Sequence, residues 1–126
     1  MEYLLRTDRS GPLEAVIEAS DTDLHVPALC DVEISAALRR ALLAGAMNER
    51  RALDAIDDYL NLPLTTHGHG ALVRRNVALR QNFSAYDATY VALAERIGAA
   101  LLTADRALLR AVQRHALVEV MGYEDP

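Results

Sequence analysis

Short apolar runs alternate with helical stretches along most of this chain, and that alternation limits the fold more than any other feature. "DLHVPA" (23–28), "LPLTT" (62–66), "AALLT" (99–103) and "LVEVMGY" (117–123) read as strands. Helical periodicity fills 12–20, 29–45, 48–62, 67–82, 84–98 and the stretch from Asp105 to His115. Pro12 suits a first helical position, Asn48 and Ser84 suit N-caps, and Gly45 and Gly98 suit stops. Strands separated by helices pair in parallel and are covered by helices on both faces. The expectation is a three-layer α/β/α sandwich with a short parallel sheet, residues 1–126 forming one domain. "EYLLR" (2–6) reads as a helix-like start, so four strands are visible and the usual first strand of such a sheet is lacking.

Hydrophobic residues make up 52% of the 126, enough for a packed core, and no apolar run approaches the roughly 18–20 residues that span a bilayer. The first fifteen residues carry Glu2, Arg6, Asp8 and Arg9 and lack the pattern of a signal peptide. One cysteine, Cys30, permits no internal disulfide and suits a small apolar packing role in a reducing cytoplasm, so a cytoplasmic protein is expected. The net charge of −5 argues against global attraction to nucleic acid but leaves room for a local basic patch. All 13 basic residues are Arg, a side chain suited to bidentate contact with carboxylate or phosphate.

Three acids fall at one edge of the expected sheet. A helix from Ser84 to Ile97 runs about 21 Å, and the strand that follows climbs back about 17 Å, which returns Asp105 to the height of Asp87. Glu33, placed in the first turn of the helix after strand 23–28, belongs to the same rim if the strands are parallel. Open α/β sheets place ligands at that rim. Thr103 precedes Asp105 by two residues and faces the same way if both keep strand geometry. Taken singly, each acid is explained by a helix N-terminus, worth about 0.3–1 kcal/mol. Taken together, they repel one another in apolar surroundings, and a hard dication such as Mg²⁺ or Mn²⁺ would relieve this. Such an ion activates water and clamps a phosphate oxygen, which points to phosphodiester hydrolysis.

"LHVPALCDVEISAALRRALLAG", "FSAYDATYVALAERIGAALLTADRAL" and "VEVMGY" resemble the PIN-domain ribonucleases, and more narrowly the toxin half of VapBC toxin–antitoxin modules. The resemblance implies an α/β/α fold, RNA as substrate, Mg²⁺ or Mn²⁺ as cofactor, and a cognate antitoxin that inserts a segment into the active-site groove. It places the family's second, third and fourth acids on Glu33, Asp87 and Asp105, as metal ligands and catalytic residues, and its hydroxyl residue on Thr103. The family's first acid ends an N-terminal strand just before a segment similar to "EYLLR", and has no counterpart here; neither Glu2 nor Asp8 is an obvious substitute. The expectation is a natural product that begins upstream, with a gap in the middle of the sheet as written. Weak metal binding and poor nuclease activity follow from the missing ligand.

Other features have plainer readings beside functional ones. "RTDR" (6–9), Arg39-Arg40, Arg74, Arg75 and Arg80 are candidate RNA contacts or simply solvated charges, and Arg106 either contacts RNA or neutralises Asp105. "HGHG" (67–70) is a weak zinc signal and reads as a helix-entry loop; His25 and His115 read as structural. Helices 12–20 and 29–62 offer an apolar face for a homodimer. Two rivals to the ribonuclease stand: a catalytically silent module that binds an antitoxin, and a small-molecule phosphohydrolase.

Overall fold

The computed structural model describes residues 2–6, 23–115 and 118–122. The helix expected over 12–20 lies outside these residues, as do Asp8 and Arg9. Five strands, β1 (Glu2–Arg6), β2 (Asp23–Pro27), β3 (Leu64–His67), β4 (Ala100–Thr103) and β5 (Val120–Gly122), form one sheet in the order β3-β2-β1-β4-β5. All four pairings are parallel. Among the described residues the helices are α1 (Leu29–Leu43), α2 (Glu49–Leu60), α3 (Val73–Ala78), α4 (Ala85–Ile97) and α5 (Arg106–His115), with a 3-10 turn at Gly70–Leu72.

The sandwich expected from the sequence is present, but its middle is occupied. Glu2–Arg6 is a strand, not a helical start, and it fills the central place expected to stand empty. Tyr3 and Leu4 pair with Leu24 and His25 on one side, and Leu4 and Arg6 with Leu101 and Thr103 on the other. Alternation along the strands then divides two cores. Leu4 and Leu101 face α4 and α5, joining Tyr90, Val91, Leu93, Leu108 and Val112. Tyr3 and Leu102 face the opposite way, onto Val26, Cys30, Ile34 and Tyr59 from the α1–α2 side. Cys30 is buried, as its apolar role required.

Local signals fix the helix ends. The Asn48 side chain accepts from the Arg51 amide at 2.8 Å, and the Ser84 hydroxyl accepts from the Asp87 amide at 3.1 Å. Gly98 stops α4 in a left-handed conformation, φ 67°, that a side chain rarely adopts. The helix expected over 67–82 is broken: His67 ends β3, Gly68 and His69 form a loop, and only Val73–Ala78 is regular helix.

Leu4 is fully buried at the centre of the sheet. Leu4→Ala should therefore lower the unfolding free energy by about 2–5 kcal/mol in urea denaturation. A change below about 0.5 kcal/mol, typical of surface sites, would mean that residues 2–6 do not form the central strand.

Candidate active site

The strand order reverses at β1: β2 and β3 lie on one side, β4 and β5 on the other. The carboxyl edge at that reversal is the natural crevice of an open parallel sheet. Arg6 ends β1 there, Thr103 ends β4 beside it in register, and α1 and α4 begin at the same rim. Glu33 lies one turn further along α1 than expected; Asp31 holds the first turn. Asp87 lies in the first turn of α4.

Glu33 and Asp87 meet on Arg6. Its Nη2 donates to Glu33 Oε2 at 3.1 Å, and its Nη1 donates to Asp87 Oδ1. The guanidinium is 5% exposed and stacks on the Tyr90 ring, 4.6 Å from its centroid. The Tyr90 hydroxyl donates to Glu33 Oε1 at 2.5 Å, so both Glu33 oxygens accept hydrogen bonds. Burial, the neighbouring Cys30 and the Glu33 carboxylate together push the Tyr90 phenol far above its ordinary range, which keeps it a proton donor. Arg6 was expected among exposed phosphate contacts; the structure instead buries it between two carboxylates. Its position at the end of an apolar run, "YLLR", was the one signal that could have placed it at a strand's carboxyl edge.

Asp105 stands at the same rim but does not join that pair. Its Oδ1 accepts from the amides of Ala107 and Leu108, at 2.9 and 3.1 Å, and so caps α5. Thr103 and Asp105 do not share strand geometry, because β4 ends at Thr103. The buried Thr103 hydroxyl instead accepts from the Asp105 amide at 3.0 Å, turning the chain into the cap. Among the described residues no group of three or more His, Cys, Asp or Glu side chains is placed to hold a metal ion. Carboxylate oxygens are the right donors for Mg²⁺ or Mn²⁺, but as arranged here they do not fit such an ion, because a guanidinium already engages two of them.

The remaining candidates separate. Arg75 makes two hydrogen bonds to Glu95, at 3.0 and 2.9 Å, tying α3 to α4. Arg80 donates to the Val77 carbonyl at 3.1 Å. Arg74 and Arg106 are exposed, and among the described residues Arg106 makes no ion pair with Asp105. The histidines of "HGHG" form a local brace. His25 Nδ1 and His67 Nε2 lie 2.9 Å apart across β2 and β3, and His69 Nε2 accepts from the Leu29 amide at 2.9 Å, capping α1. His115 is exposed in the last turn of α5.

A parallel five-stranded sheet carrying acids at its switch point defines the class. Residues 2–114 match the PIN domain family, and the chain belongs to it. Within that family it is similar to VapC ribonucleases. One, from Mycobacterium bovis, is 46% identical over 85 residues, covering 65% of each chain, so the chain spans less than two thirds of that relative's length. Ribonuclease VapC3 of Mycobacterium tuberculosis is 36% identical over 112 residues, 88% of this chain and 80% of the relative. The fold is also that of VapBC2 from Rickettsia felis, solved on a DNA fragment from its promoter. That likeness has a TM-score of 0.68 at 13% identity and covers 98% of this chain and all of the other.

Two outcomes test this local account. Asp105→Ala should cost about 1 kcal/mol of stability, whereas Asp105→Asn, which keeps the cap, should cost only a few tenths; thermal or urea unfolding reads both. Burial and the neighbouring His25 lower the His67 pKa, so its charged form is disfavoured in the fold. That contribution is present above the ordinary histidine value of about 6.5 and is lost as pH falls below it. The urea midpoint should drop between about pH 7 and pH 5.5, and His67→Gln should flatten that drop.

Proposed function

We propose that this chain is the toxin component of a type II toxin–antitoxin module, a VapC-type ribonuclease that hydrolyses RNA phosphodiester bonds. The observation that carries the reading is the convergence of Glu33 and Asp87 at the switch point of the sheet. They come from helices far apart in sequence and meet where a PIN fold offers its crevice. The similar proteins named VapC ribonuclease support the same substrate class. In this reading Glu33, Asp87 and Asp105 are the acids of the site, and Thr103 sets the turn that presents Asp105. Arg74, Arg80 and Arg106 are exposed guanidiniums available to RNA phosphates, whereas Arg75 is held by Glu95. The resemblance asks for Mg²⁺ or Mn²⁺ at the acids; the present arrangement does not fit one, and no step is assigned to an ion.

A VapB-like antitoxin is the partner this reading requires. An apolar groove between α1 and α2, lined by Ile34, Leu38, Leu42, Ile56 and Leu60, is open to such a partner or to a second copy of the chain. Leu43 and Leu60 at its edge are 71% and 70% exposed. Among the described residues no helix is long and apolar enough to cross a membrane.

The Arg6 contact favours a second reading, a silent PIN module that keeps the fold and binds the antitoxin. Cleavage of a short single-stranded RNA separates the two. The ribonuclease reading expects slow cleavage, lowered about 10²-fold or more by Asp87→Asn, and no release of phosphate from a phosphomonoester. RNA left intact with every dication tried, by a chain that still binds its antitoxin, establishes the silent module.

A further inference from the structure

Arg6 is the least expected member of the rim, and its surroundings are those of a bound cation. It is almost fully buried, on the last residue of β1, where its backbone pairs with Thr103 of β4. A buried charge persists only where partners satisfy it. Here two carboxylates from α1 and α4 take separate arms of one guanidinium, and an aromatic face closes over it. The planar fork suits that geometry, since its two Nη groups serve acceptors on separate helices. Both oxygens of Glu33 and one of Asp87 already accept hydrogen bonds. A small dication needs several oxygens in near-octahedral array, and it would also lie beside a positive guanidinium in a partly desolvated place, where repulsion is strong.

We propose that Arg6 is the resident counter-cation of this acidic rim, and that Arg6 and a divalent cation exclude one another between Glu33 and Asp87. The inference rests on the reading of those two residues as the acids of the site, but concerns what neutralises them. The arrangement makes the chain's acidic pair stable without metal. Entry of an ion requires the Arg6 side chain to leave, and the acids then lose one cation as they gain another.

The test reads ion binding, not catalysis, so its failure is distinct from failure of the ribonuclease reading. Mn²⁺ binding to the full chain and to Arg6→Gln is compared by calorimetry, with thermal unfolding in EDTA and in Mn²⁺. The expected result is at least about tenfold tighter Mn²⁺ binding by Arg6→Gln than by the unsubstituted chain. Mn²⁺ should also raise the Tm of Arg6→Gln and leave that of the unsubstituted chain unmoved. Adding Glu33→Gln should remove the gain. Equal affinity of the two chains overturns the proposal. Should Arg6→Gln not fold, the unsubstituted chain decides alone: Mn²⁺ broadening of amide resonances centred on Glu33 and Asp87 refutes the exclusion, and its absence there supports it.

Discussion

One guanidinium joins three elements of this protein, two of which bring carboxylates that would otherwise repel at their meeting point. Arg6 leaves the central strand, Glu33 comes from α1 and Asp87 from α4, and the ion pairs close the carboxyl end of the sheet. Breaking a buried pair by removing one partner typically costs about 3–5 kcal/mol, because the other charge is left uncompensated. The two carboxylates here keep some contact with water, at 16% and 32% exposure, so the lower end of that range applies. Even that is a large share of the stability of a small domain. The contact is therefore structural before it is anything else, and any chemistry at Glu33 or Asp87 is coupled to the packing of β1.

That coupling follows from where β1 lies. A central strand in a parallel sheet has both ladders satisfied and both faces buried, and Leu4 and Tyr3 supply one core each. The strand's last residue must then project at the rim shared by α1, α4 and the end of β4. An apolar residue there would leave Glu33 and Asp87 facing each other without a counter-charge. A long cationic one resolves the conflict and lays its flat face on Tyr90, whose hydroxyl completes the second Glu33 oxygen.

Elements written in local chemistry were legible in the sequence. Ser84, Asn48 and Asp105 cap the helices they were expected to cap, and Gly98 stops α4, because each signal acts within one turn of backbone. The sheet's parallel character followed from alternation alone. "EYLLR" was not legible, because five residues carry too little period to distinguish a buried strand from a helical start, and only its neighbours settle the matter. Arg6 was misread for the same reason: burial between two distant acids is a tertiary fact. The stretch 67–82 failed differently. Its apolar spacing is helical, but His67 pairs with His25 and His69 caps α1, and these contacts hold the first residues out of the helix. Of the site, the convergence of Glu33 and Asp87 was readable from their places at the carboxyl edge of parallel strands, whereas the lengths that returned Asp105 to the height of Asp87 did not reveal its separate employment as a cap, the plainer of its two readings.

The rim also shows how backbone dipoles can support acids at a sheet edge. Helices α1, α4 and α5 all begin there, and each N-terminus carries a partial positive charge of roughly half a unit. Asp105 accepts from two amides of α5, and Asp87 sits in the first turn of α4, so each acid is partly neutralised by the backbone that carries it. Glu33, a turn deeper in α1, has least help from its own helix and correspondingly draws both Arg6 and Tyr90. The same field that tolerates these carboxylates is one a phosphate would also meet. Whether the rim attracts or repels an anionic chain is thus decided by a small balance. Among the described residues three acids face three helix ends and Arg6, and displacing that arginine shifts the balance toward the acids.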